Sequence, residues 1–141
     1  MRNLKTILVL FLAVIIQLTA LSSYIQFGVS SRPDPIHKIY NVNYPDKKGT
    51  LAFICDGNNL YNVDSKGNKT TLTMTRKGNL VYSVNGNTNA LAKTFVIENN
   101  SEAYNIKFDG SKGSLALVKT GNIIYSVNGN NQKRTAVFIV E

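Results

Sequence analysis

The residues of this chain best spaced to do chemistry are five tyrosines, Tyr40, Tyr61, Tyr82, Tyr104 and Tyr125, separated by 21, 21, 22 and 21 residues. Each is followed by Asn or Ser and then by Val or Ile. A flat aromatic face beside an amide or hydroxyl is the chemistry of sugar recognition, since the ring stacks on the apolar side of a sugar and its polar neighbour bonds the hydroxyls. On that reading the candidate ligand-binding residues are Tyr61 and Asn62, Tyr82 and Ser83, Tyr104 and Asn105, Tyr125 and Ser126. A competing reading places the rings in the core, because Tyr alternates with Val or Ile along each segment.

Other chemistries find few residues. His37 is the only histidine, lies in a Pro-flanked segment, and cannot by itself build a His-rich metal site or supply a local triad. Cys55 is the only cysteine, so an intrachain disulfide is excluded. It lies in the apolar run 51–55, which favours burial, and an interchain disulfide is the alternative. Asp56, Asp64 and Asp109 sit beside glycines, where a carboxylate normally caps turn backbone. Glu98 and Glu102 flank a turn and could face each other, but nothing else suggests glycoside hydrolysis. The Asp64 and Asp109 loops lack the dense oxygen ligands of a calcium site, and the Gly-Asn pairs lie between strands rather than before a helix, as a phosphate loop requires. No catalytic residue, metal or cofactor is therefore expected. Two sequons, at Asn68 and Asn99, fall at predicted turns and would be glycan acceptors in a eukaryotic host.

The elements that must position these residues follow from repetition. GNLVYSVNGN at 78–87 recurs as GNIIYSVNGN at 121–130, and the finer period of about 21 residues marks one repeat unit per tyrosine. Each unit reads as a β-hairpin. The Tyr segment alternates, and a second strand follows about ten residues later: 50–55, 71–75, 91–98, 114–119 and 135–140. Turns are signalled by Lys66-Gly67, Asn85-Gly86, Asp109-Gly110 and Asn128-Gly129, and by Gly57-Asn58, Gly78-Asn79, Gly121-Asn122 and Asn99-Asn100. The expectation is an all-β fold: an antiparallel meander of about ten short strands from five hairpin repeats over 37–141, curled or closed. A propeller-like arrangement is the first alternative, since four strands make a blade, and a solenoid-like stack the second. Closure is favoured because a sheet of this size curls and because closure removes exposed edges.

Residues 60–68, LYNVDSKGN, resemble the YD repeats of Rhs-type bacterial proteins and related adhesins, with Tyr61, Asp64, Gly67 and Asn68 matching the motif. The other units depart from it, Asn85 and Asn128 running straight into Gly. The resemblance implies hairpins of a large curling sheet that serves as shell or binding scaffold, with no catalytic residue to carry over.

The first 22 residues carry a basic head (Arg2, Lys5), an apolar run beginning at Ile7 and a small-x-small ending, the layout of a secretory signal peptide. The alternative is a membrane anchor over 7–21, short for a span. Residues 23–36 read as an extended linker. Without residues 1–22 the chain holds 14 Lys/Arg against 8 Asp/Glu, a net charge of +6 against +8 for the whole. The lysines are scattered, which fits a solvated surface better than nucleic acid. The expectation is a secreted, non-enzymatic β-repeat module that binds an extracellular glycan, surface component or protein. The alternatives are a self-assembling structural protein, hence a homo-oligomer, and a secreted effector or inhibitor scaffold.

Overall fold

The alternation of apolar and polar residues on either side of each tyrosine sets ten antiparallel strands in the computed structural model, which describes residues 35–141. The signal peptide or anchor and most of the linker lie outside the described residues. The strands are β1 (His37–Asn43), β2 (Lys47–Asp56), β3 (Asn59–Val63), β4 (Lys69–Lys77), β5 (Leu80–Val84), β6 (Leu91–Glu98), β7 (Glu102–Ile106), β8 (Lys112–Thr120), β9 (Ile123–Val127) and β10 (Lys133–Val140). Each pairs with its neighbours in sequence, and β10 returns to β1, so the meander is a closed barrel. There is no helix among the described residues. Closure takes the place of the propeller-like and solenoid-like alternatives. The second strand of most units starts two or three residues earlier than the apolar pattern suggests, because its first residues are Lys, Gly and Thr.

The seam is held at both levels of bonding. Ile39, Tyr40 and Asn41 pair with Val140, Ile139 and Phe138. Beyond that ladder the Lys38 amide donates to the Glu141 carbonyl at 2.7 Å and the Glu141 amide returns a bond at 2.9 Å.

Two kinds of turn alternate around the barrel. At one end, β2–β3, β4–β5 and β8–β9 are joined by Gly57-Asn58, Gly78-Asn79 and Gly121-Asn122, and each glycine takes a positive φ of 56–62°. A two-residue hairpin loop needs that conformation, and glycine adopts it without steric cost. The β6–β7 turn holds three residues, Asn99 to Ser101, and this one extra residue makes the third tyrosine gap 22 rather than 21. The other end carries longer loops. There Asn85-Gly86 and Asn128-Gly129 are not tight turns: the positive φ values belong to Asn89 and Asn131. Asn85 and Asn128 instead accept bonds through Oδ1 from downstream amides at 2.9–3.3 Å. A side chain that bonds its own loop backbone competes with the type I′ turn that the dipeptide would otherwise form.

The long strands are fitted to the short ones by bulges. Across each hairpin the residue before the tyrosine and the tyrosine itself face positions two apart on the partner strand, as with Ile39–Phe53 and Tyr40–Leu51, leaving an extra residue at Ala52, Thr73, Thr94, Ala116 and Val137. Such bulges increase local twist and curvature, which a closing sheet requires. Ala52, Ala116 and Val137 pack against the core, while Thr73 donates its hydroxyl to the Leu60 carbonyl at 3.0 Å.

The core consists of the residue preceding each tyrosine (Ile39, Leu60, Val81, Ala103, Ile124) and facing residues such as Phe53, Met74, Phe95, Leu117 and Phe138. Phe53 and Phe138 meet edge to face, centroids 6.5 Å apart. Because side chains alternate along a strand, burying the preceding residue turns every tyrosine outward. The core reading of the tyrosines is thereby corrected. Each has a buried aliphatic neighbour one position earlier, and the Val or Ile two positions later shares its outer face.

Candidate functional site

Alternation sorts the sequence-derived candidates onto two surfaces. Tyr61, Tyr82, Tyr104 and Tyr125 stand outside the barrel, half-buried, and Asn62, Ser83, Asn105 and Ser126 point inward at the long-loop end. The structure therefore does not bring each Tyr and its following residue together on one face.

The outer surface is a belt of capped rings. Lys48, Lys69, Lys112 and Lys133, each eight residues after its tyrosine, hold their ammonium groups 4.6, 4.6, 4.5 and 5.3 Å from the centroids of Tyr40, Tyr61, Tyr104 and Tyr125. A cation over the face of an aromatic ring is attracted by its quadrupole. Three of these lysines also close on carboxylates: Lys48 on Glu141 at 2.8 Å, Lys69 on Asp56 at 2.6 Å and Lys112 on Glu98 at 2.9 Å. Lys133 reaches the Thr120 hydroxyl in the corresponding place. The carboxylate partner raises the pKa of Lys48, Lys69 and Lys112. Sequence reasoning missed this triad, although a Lys eight residues after the tyrosine in four units was a visible signal for it. In the ring of Tyr104 the hydroxyl donates to Glu102 at 3.1 Å, and burial followed by that carboxylate holds its pKa up.

The inner surface at the long-loop end is polar in every unit. Asn41 donates to the Thr50 hydroxyl at 3.0 Å and Asn105 to that of Ser114 at 3.2 Å. Ser83 and Ser126 donate to the carbonyls of Ala92 and Thr135 at 3.4 Å. The Asn62 amide and the Thr71 hydroxyl make no hydrogen bond among the described residues, and Thr71 is exposed. Gly49 and Gly113, nine residues after their tyrosines, allow backbones to close here: a Cβ would meet the carbonyls of Asn41 and Asn105 at 3.0 and 3.1 Å. Beyond this lining, the loops of units one and four carry Tyr44 and Phe108, both fully exposed and both four residues after their tyrosine. The long-loop end, the mouth of the barrel, thus has polar walls, with Ala52, Ala116 and Val137 packed on the core below them and two exposed aromatic side chains in its loops.

The opposite end of the interior is apolar and basic. Arg76 is 8 % exposed, its Nε donates to the Gly78 carbonyl, and burial lowers its pKa. Burial does the same to Lys119. His37, the first residue of the expected repeat domain, is the first residue of β1 and pairs with Cys55. Burial and then the Lys119 charge lower its pKa, against a bond with the Glu141 backbone. Cys55 is buried, its sulfur 3.5 Å from the Gly57 carbonyl, so an interchain disulfide would require this end of the barrel to open.

The remaining candidates are resolved one by one. Asp64 and Asp109 cap loop amides, Asp64 Oδ1 accepting from Lys66 and Asn68 at 2.9 and 2.8 Å and Asp109 Oδ1 from Ser111 at 2.9 Å. Asp56 serves Lys69 instead. Glu98 and Glu102 do pair across their turn, but one binds Lys112 and the other Tyr104 and Asn99. The sequon residues Asn68 and Asn99 are exposed on loops, bonded to Asp64 and Glu102. No group of three or more metal-ligating side chains occurs among the described residues. No protein-family model, no curated protein and no solved structure matches this chain, so its reading rests on the barrel, its mouth and its tyrosine belt.

Proposed function

We propose that this chain is a secreted, non-enzymatic β-repeat barrel that binds an extracellular ligand at the mouth formed by the long loops, and that the ligand is a glycan. One observation carries the reading. A ring of Asn, Ser and Thr lines the inside of the mouth in all five units, and within it the Asn62 amide and Thr71 hydroxyl are uncommitted to other side chains. Polar groups gathered at one end of a closed barrel fit a hydroxylated ligand, whose hydroxyls they bond while the exposed Tyr44 and Phe108 rings accept its apolar faces. A scaffold role of this kind agrees with what the YD-repeat resemblance of residues 60–68 implies. Edge-to-edge assembly, the structural alternative, has less to work with, because β1 and β10 pair with each other and leave no open strand edge among the described residues.

The test is a glycan array followed by titration calorimetry on any hit. Selective binding that is lost in the double variant Asn62→Ala/Thr71→Ala and weakened in Tyr44→Ala is the expected result. Absence of any selective glycan, with capture of a protein partner through the same rim, would replace the carbohydrate by a protein surface.

A further inference from the structure

Around Tyr82 the pattern of the outer belt breaks at three positions at once, and each change moves in the same direction. The capping lysine eight residues after the tyrosine becomes Ala90. The position just before the tight turn, held by Asp56, Glu98, Thr120 and Glu141 in the other units, is Lys77, whose ammonium lies 5.7 Å from the Tyr82 centroid. The residue directly opposite the tyrosine, Leu51, Leu72, Leu115 or Ala136 elsewhere, is Lys93. Tyr82 thus stands between two lysines on neighbouring strands, both exposed, and neither has a carboxylate in ion-pair reach among the described residues.

The consequence is a difference in charge between otherwise equivalent surfaces. In units one, two and four the lysine is matched by a carboxylate. Around Tyr82 two positive charges flank one ring with no carboxylate among the described residues to offset them, and the adjoining loop 85–90 contributes no charged residue. Lys77 faces Leu80 and Lys93 faces Tyr82, so the two like charges lie on the strands either side of β5 with Tyr82 between them. An anion bound at the ring would gain charge-assisted bonds from lysines that have no carboxylate of their own among the described residues.

We infer that Tyr82, Lys77 and Lys93 form a second, outer binding site, separate from the mouth, for an acidic carbohydrate. The ring supplies a flat face for a sugar and the two lysines clamp its carboxylate or sulfate. The single aromatic platform favours a sugar over a bare phosphate, and a cluster confined to three adjacent strands, β4 to β6, favours a short anionic oligosaccharide over a broad charged surface.

The experiment uses the secreted full-length protein and a heparin decasaccharide, with a polygalacturonate oligomer as the carboxylated arm and neutral dextran as the uncharged one. The key variant, Lys77→Asp/Lys93→Leu, installs the residue types found in the other units and so should fold at least as well as the parent. A control, Lys47→Asp/Lys66→Ala, makes the same change in net charge at two exposed lysines elsewhere. The site predicts binding of either acidic oligosaccharide that weakens about tenfold or more in the key variant, the ratio one charge-assisted contact carries. The control should change far less, and Asn62→Ala/Thr71→Ala at the mouth should not change it. Equal weakening in the key variant and the control would overturn the site, since net charge would then explain the binding. So would the absence of binding to both acidic oligosaccharides, or binding only to anionic phospholipid vesicles or duplex DNA.

Discussion

The side chains of Lys48 and Glu141 lie 93 residues apart in the chain and meet at 2.8 Å. They mark the seam at which a linear set of five repeats becomes a closed barrel, and the pair repeats the Lys–carboxylate motif of Lys69–Asp56 and Lys112–Glu98. Glu141 thus completes the first repeat in the way Asp56 completes the second. The ion pair itself is half exposed, and exposed pairs contribute little. The backbone bonds and the burial of Phe138 and Val140 matter more. Glu141→Gln should therefore shift the melting temperature only slightly, whereas deletion of residues 138–141 should abolish the cooperative transition and promote oligomers through the exposed β1 and β9 edges. Circular dichroism melts and size-exclusion chromatography would distinguish the two outcomes. A truncated chain that melts like the parent would mean the seam is not needed for folding.

Phe53 and Phe138 join the two strands that flank β1, and both are almost fully buried. Truncating either to Ala should cost about 3–5 kcal/mol. A double-mutant cycle should give a coupling of about 0.5–1.5 kcal/mol, the range for edge-to-face aromatic pairs. Urea denaturation measures both. A coupling near zero would mean that the barrel interior relaxes around each cavity separately.

Much of this architecture was legible in the sequence, and the gap lies in facing rather than in pairing. The tyrosine period gave five hairpins and ten strands, because period-two alternation and Gly-Asn turns are local signals. Which face of each strand turns inward was not legible, since Leu80, Tyr82 and Val84 make as good an apolar stripe as Val81 and its equivalents. The bulges at Ala52, Thr73, Thr94, Ala116 and Val137 blur the alternation further, since Ala52, Ala116 and Val137 pack on the core beside buried neighbours and no periodicity announces an inserted residue. The same limit affected the candidate site. Asn62, Ser83, Asn105 and Ser126 stand out in the sequence by their place after each tyrosine, but their separation from the tyrosines follows from the facing. Closure likewise depends on Ile39 meeting Val140, a pairing between the first and last strands that no local pattern encodes.

The buried Cys55 reports on the barrel end formed by the tight turns. Its sulfur is covered by core residues and stays so while β1, β2 and β3 remain paired. A thiol in an apolar interior is a poor nucleophile because burial disfavours the thiolate. Labelling by a disulfide reagent should be slow in native buffer and complete at once in guanidinium. Fast native labelling would show that this end opens locally without global unfolding.

His37 gives this end a pH dependence whose sign can be worked out. Its folded-state pKa lies below the ordinary 6.5, because burial and then the Lys119 charge oppose its protonation more than the bond to the Glu141 backbone favours it. The unfolded chain therefore binds a proton that the folded chain resists, and stability is lost as pH falls from 6.5 toward the folded value. Asp64 and Asp109 also have depressed values, held below 3.8 by bonds from Asn68 and Ser111 respectively. Their contribution is present above 3.8 and is lost only at more acid pH, which leaves the interval just below 6.5 to the histidine. Denaturation midpoints measured from pH 7.5 downward should fall through that interval in the parent and stay level in His37→Asn, whose side chain cannot take up the proton. The same slope in both proteins would place the titrating group elsewhere and would separate the seam from the acid response of the barrel.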